Sequence, residues 1–218
     1  MRKVIVAAVV LLASLLSQSA FANLILNGDF AAPDIGGDYT TYRPGTTPAE
    51  FIWTVTLGTL GSGQALYGVD LINSYWRGLS GTANDQSLDI DYDNAISQIF
   101  LTNPGSEYEL TLWYSHNKDR SGPKSGEVFI TGASGDLLDV TLSHNLSVSA
   151  TNMNFVKYTG RFYADSSSTT LKIQGKNDNP WGFVVDGVEV KLIPEPASLL
   201  LLGSGLLGLG GLRLRKRS

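Results

Sequence analysis

The chain has 218 residues, no cysteine and a formal net charge of −4 at pH 7. The lack of thiols excludes disulfide stapling, thiol nucleophiles and thiolate metal sites. With Arg2, Lys3, Arg213, Arg215, Lys216, Arg217 and Glu195 of the two ends set aside, 10 basic and 19 acidic residues remain, a net near −9 that argues against nucleic acid as a partner.

Arg2 and Lys3 precede an apolar run, 4–16, interrupted only by Ser14 and too short to span a bilayer comfortably. Ser17-Gln18-Ser19 is polar, and Ala20-Phe21-Ala22 satisfies the small-x-small cleavage rule. Residues 1–22 therefore read as a secretory signal peptide, with Asn23 the first mature residue.

Residues 23–192 read as one domain, β throughout. Gly, Asn, Asp, Ser and Thr clusters separate short runs rich in Val, Ile, Tyr, Phe and Thr. Strands are predicted over 24–26, 51–57, 65–69, 87–92, 96–101, 108–115, 127–131, 137–142, 155–163, 169–175 and 183–192. The clearest alternation sets Tyr108, Leu110, Leu112 and Tyr114 against Glu109, Thr111, Trp113 and Ser115, which predicts a strand with one core face. Val156, Tyr158 and Phe162 repeat the pattern, as do Leu171 and Ile173. Asn103-Pro104-Gly105 and Ser121-Gly122-Pro123 predict turns, and 34–48 and 75–84 predict long polar loops. No segment of ten residues keeps a helical period, and no βα alternation occurs. The fold class is all-β: a two-sheet β-sandwich, as in a jelly roll.

No residue is assigned a catalytic role. The two histidines, His116 and His144, lie in Ser-His-Asn settings, and a Gly-x-Ser-x-Gly elbow is lacking. With 19 acids in the domain, no carboxylate pair is singled out for glycoside hydrolysis. Asp89, Asp91 and Asp93 alternate along a predicted strand and would share one face. Such a face suits a hard cation, or serves as a charged edge that discourages pairing. It is no EF-hand, because Asn94 stands where Gly is needed and Phe100 where Glu is needed. Sugar rings stack on aromatic faces, which makes Trp76, Trp113 and Trp181 the carbohydrate-binding candidates, while Trp53 reads as core. The Thr pairs 40–41, 46–47 and 169–170 are too irregular for an ice-binding array.

The last segment, 193–218, opens on Pro194-Glu195-Pro196. An apolar run of 16 residues, 197–212, follows, with five glycines and one serine. As a single hydrophobic helix it is about 24 Å long, short of a roughly 30 Å hydrocarbon core. The basic cluster Arg213, Arg215, Lys216 and Arg217 is expected to stay cytoplasmic, placing the domain on the outer side.

A Pro-Glu-Pro motif, a Leu/Gly-rich helix and a terminal basic run, in that order, resemble a PEP-CTERM sorting signal. That resemblance implies an exopolysaccharide-making bacterium of Gram-negative type. It also implies a membrane-bound exosortase that cuts near Pro194, Glu195 and Pro196. The precursor would be held transiently in the inner membrane facing the periplasm, and the product would reach the cell surface or the extracellular matrix. A second resemblance rests on Asn27-Gly28-Asp29-Phe30, Gln86-Ser87-Leu88-Asp89-Ile90, Pro104-Gly105-Ser106-Glu107-Tyr108 and Val185-Asp186-Gly187-Val188. In this order they look like the choice-of-anchor C type of surface domain, related to galactose-binding-like and carbohydrate-binding jelly rolls. That family implies association with wall or extracellular polysaccharide, here without enzymatic activity. Related jelly rolls tie the first strand to the last with a structural calcium; Asp29 and Asp186 are the acids in those segments. The acid often found after Asn-Gly-x-Phe is Ala31 here, which takes one ligand away. The alternatives are a secreted glycan hydrolase or lyase on the same fold, and a purely structural or adhesive protein, including an ice-binding one.

Overall fold

The computed structural model describes residues 22–60, 67–82 and 84–194. The expected signal peptide and hydrophobic tail helix lie outside the described residues, apart from their inner ends.

Among the described residues the chain forms eleven strands: β1 (Tyr39–Tyr42), β2 (Thr54–Thr56), β3 (Val69–Ile72), β4 (Ser87–Ile90), β5 (Ala95–Leu101), β6 (Glu107–His116), β7 (Lys124–Gly132), β8 (Gly135–His144), β9 (Val156–Tyr163), β10 (Ser168–Gly175) and β11 (Phe183–Leu192). One sheet has the order β1-β3-β4-β11-β6-β9, the other β2-β5-β10-β7-β8. Every ladder is antiparallel. The two sheets pack face to face as a sandwich, as the alternation predicts.

Alternation sets the core. Leu71, Leu88, Ile90, Leu110, Leu112 and Val185 point inward from the six-stranded sheet. Val55, Ile96, Val128, Ile130, Leu171 and Ile173 meet them from the other. Trp53 is buried as expected, and its indole N–H donates to the Asn27 carbonyl (3.0 Å).

Three expectations change. The strand predicted over 65–69 is found, among the described residues, over Val69–Ile72. Residues 24–26 form no strand. The amide and carbonyl of Leu26 pair with the Gln98 side chain (2.8 and 3.0 Å), and the Leu24 amide donates to the Val190 carbonyl. A side chain thus satisfies backbone groups that a ladder would otherwise take. The long loop predicted over 34–48 contains β1, an edge strand of Tyr-Thr-Thr-Tyr paired with β3. Its polar, turn-rich flanks hide it.

The five-stranded sheet leaves Ile99 and Leu101 exposed on its outer face. The outer face of the six-stranded sheet is covered over β3, β4 and the start of β11, while the outward residues of β9 stay exposed. Ile72 of β3 and Val184 of β11 pack there with Trp76 and Met153, which come from the loops after β3 and β8. All four residues of β4 are consequently buried.

Candidate functional site

The covered outer face contains a cleft of about 210 Å³. Tyr39, Tyr67, Tyr75, Trp181, Asp70, Asp91, Asn117 and Asp119 are among its lining residues. Its size suits a group smaller than a drug-sized ligand.

The floor is built by strand register. Asp70 stands directly opposite Asp89 across the β3–β4 ladder, and both point away from the core because their neighbours Leu71, Leu88 and Ile90 point into it. Asp91 follows two residues on, with Asp89 and Asp91 0 and 1 % exposed. The expected third member leaves the face. Tyr92 takes a left-handed backbone conformation (φ 53°), which breaks the alternation. Asp93 then turns outward and accepts from the amides of Thr59 and Leu60.

Partners for the floor carboxylates are few. Asp70 accepts from the Thr41 hydroxyl (2.6 Å), Asp89 from the Asn117 amide (2.6 Å) with the Gly182 N–H also acting on it, and Asp91 from the Gly68 N–H (3.3 Å). The Oδ1 atoms of Asp89 and Asp91 are buried without a hydrogen-bond partner. Burial raises all three carboxyls above the usual carboxylate range. The neighbouring Asp70 raises Asp89 further, and Asp89 and Asp70 both raise Asp91. The positive group acting on Asp89 is Lys124, itself buried and depressed in pKa by burial; it donates to Asn179 (3.0 Å).

One wall differs. The Asp119 carboxylate accepts from the Tyr75 hydroxyl (2.6 Å) and the Lys118 ammonium (2.7 Å), and that ammonium lies 3.8 Å from the Tyr75 ring centroid. Desolvation opposes ionisation of Asp119, but the Lys118 and Tyr75 contacts outweigh it and hold its pKa below the usual range. Tyr39 and Tyr75 place their ring centroids 6.0 Å apart, with Tyr39 54 % exposed.

The predicted sugar-stacking residues separate. Trp76 is only 2 % exposed, packs with Ile72, Met153 and Val184, donates to the Ser87 hydroxyl (2.9 Å) and is among the residues lining the cleft. Trp181 lies at the cleft with Arg120 5.1 Å from its ring centroid. Trp113 faces outward, half-buried, and lines a second depression of about 340 Å³ with Leu79, Met153 and Phe155. Tyr39, Tyr67 and Asp70 escaped the sequence reading. One signal was available: Val69-Asp70-Leu71 sets a carboxylate between two apolar residues, as Leu88-Asp89-Ile90 does.

Asp29 is exposed and accepts from the Ala31 amide (3.3 Å). Asp186 is buried, and both its oxygens accept backbone N–H groups, from Leu79 (2.9 Å) and Gly187 (2.6 Å). Burial still pushes its carboxyl up to about 8. Among the described residues no three His, Cys, Asp or Glu side chains converge closely enough to hold a metal. The two histidines meet across the sandwich, from β6 and β8, with Nδ1 atoms 2.7 Å apart, and His144 Nε2 lies 2.9 Å from the Asn154 carbonyl.

Residues 192–217 match the PEP-CTERM protein-sorting motif, so the chain carries the sorting signal expected of its tail. No curated protein matches the chain significantly in sequence. Among solved structures, a CBM4 carbohydrate-binding domain superposes with a TM-score of 0.49 at 12 % identity, covering 77 % of this chain and 98 % of its own. TmCBM61, solved with β-1,4-galactotriose, gives 0.49 and 12 %, covering 80 % and 99 %. The CBM22-1 xylan-binding domain of Paenibacillus barcinonensis Xyn10C gives 0.42 and 15 %, covering 66 % and 87 %.

Proposed function

We propose that this is an exported cell-surface or matrix protein that holds polysaccharide in the cleft over β3 and β4. The observation that carries this reading is the pairing of aromatic rings with hydrogen-bonding carboxyl and amide groups in one concavity. Tyr39, Tyr67, Tyr75 and Trp181 offer apolar faces to sugar C–H groups, while Asp70, Asn117 and Asp119 meet hydroxyls. An exosortase-type enzyme delivers the protein by cutting near Pro194, Glu195 and Pro196.

Binding is tested with the full chain, purified in detergent, against neutral, acidic and amino oligosaccharides and the host's own extracellular polysaccharide. Tyr67→Ala and Trp181→Ala should each weaken binding about ten-fold, the loss of one stacking contact. Absence of binding to every glycan overturns the reading. Alanines at 194–196 should leave the precursor in the membrane; unchanged release refutes the sorting step.

A glycan-active enzyme is the second reading, favoured by one observation. Asp119 is lowered by Lys118 and Tyr75 in the same cleft where burial raises Asp70 and Asp91, a split in the direction that acid–base chemistry needs. The burial of Asp91 ranks it second. Release of new reducing ends by the wild type, lost in Asp119→Asn, would establish it.

A further inference from the structure

Among the described residues, Asp119 of the cleft is paired with Lys118, whereas Asp70 and Asp91 form no ion pair. None of the residues lining it is Lys or Arg. Three carboxyls crowd its floor, and the Oδ1 atom of Asp91, a lining residue 1 % exposed, accepts no hydrogen bond. A buried acceptor left unpaired is costly and is normally matched by a partner. The same cleft already shows how it treats an ammonium. The Lys118 Nζ atom sits over the Tyr75 ring and on the Asp119 carboxylate, a cation–π contact combined with a charge-assisted hydrogen bond.

We infer that the cleft selects saccharides bearing a free ammonium, that is amino sugars without an N-acyl group, which set their cationic nitrogen toward Asp70 and Asp91 within the ring of Tyr39, Tyr67 and Trp181. This deepens the polysaccharide-binding reading and rests on it. An ammonium fits where a metal does not. It needs no convergence of three carboxylates at metal distance, which the described residues lack, and it is accommodated by aromatic faces as well as by oxygens. An N-acetyl group would remove the charge and set a methyl against carboxyl oxygens. An arriving ammonium favours loss of the proton that burial keeps on the floor carboxyls, whereas a uronic acid would bring a negative charge that opposes it.

The test compares glucosamine, N-acetylglucosamine, glucose and glucuronic acid oligomers of equal length on the full chain, by calorimetry at fixed pH and ionic strength. Glucosamine oligomers should bind at least about ten-fold more tightly than the N-acetylated ones, the worth of one charge-assisted contact. Asp70→Asn should reduce that ratio to near one, because it weakens glucosamine oligomers far more than neutral ones. Asp139→Asn, on exposed β8 of the other sheet, should leave the ratio unchanged, which separates a site from general attraction to an acidic protein. Equal or tighter binding of neutral oligomers overturns the inference and leaves polysaccharide binding standing. So does a preference that survives Asp70→Asn, or a requirement for added calcium. Loss of binding to all four sugars overturns both.

Discussion

The six-stranded sheet buries its inner face and, over β4 and the start of β11, its outer face as well, and the two are built on opposite rules. Its inner face is apolar and complete: Leu71, Leu88, Ile90, Leu110, Leu112 and Val185 interlock with the facing sheet, and the polar groups near them are paired. Its outer face is covered by loops, yet holds three crowded carboxyls, two unpaired oxygens and an aromatic rim. The first arrangement maximises stability. The second gives some of it up to keep polar groups poised in a dry place. The same strands carry both, because alternate residues of β3 and β4 serve opposite faces.

Substitutions should separate the two faces. Leu110→Ala empties a fully buried site at the centre of β6 and should cost about 3 kcal/mol in denaturant unfolding, while the folded fraction binds glycan as before. Gly182→Ala should cost less, about 2 kcal/mol, and should also impair binding. Its new Cβ would lie 2.0 Å from the Ile90 carbonyl oxygen and 2.5 Å from Asp89 Oδ1, so the floor must shift.

The pH dependence distinguishes the faces next. Asp89 and Asp91 keep protons in the folded state that the unfolded chain releases near pH 4, so stability is greatest in mild acid and falls as pH rises toward their raised folded values. Asp89→Asn should flatten this fall, seen as a smaller difference between urea midpoints at pH 5 and pH 9. An unchanged difference would mean that the floor carboxyls do not hold protons. The smallest effect belongs to the inter-sheet histidines. Burial, then His144 and Lys124, lowers His116 to about 4, whereas the unfolded ring titrates near 6.5. Its contribution is complete above pH 6.5 and is lost as pH falls toward 4. A ring titration followed by NMR should place His116 near 4; a midpoint near 6.5 would show that the His116–His144 contact is not kept in solution.

The inner face was legible in the sequence because hydrophobic alternation is a local signal. The runs around Leu110, Leu171 and Val185 announce their strands and their core side without help from the rest of the chain. The outer face was legible only in part. Asp89 and Asp91 could be placed together by their spacing, but the left-handed turn at Tyr92 that removes Asp93 could not be seen. Asp70 joins them through a strand pairing, and Tyr39 through an edge strand embedded in a polar loop. Trp76 shows the converse: its loop sequence carries no sign that the ring packs onto Ile72 and Val184 at 2 % exposure. Loops that cover a sheet carry no periodicity, so what they bury is decided by tertiary contact.

The central claim is that glycan occupies the cleft over β3 and β4. Tyrosine nitration tests it directly, because Tyr39 at the cleft and Tyr163 at the end of β9 are comparably exposed, 54 and 63 %. With the full chain saturated by its tightest-binding oligosaccharide, Tyr39 should be protected and Tyr163 should react at its free rate. Equal reaction of both, with saccharide bound, would place the glycan elsewhere and contradict the account.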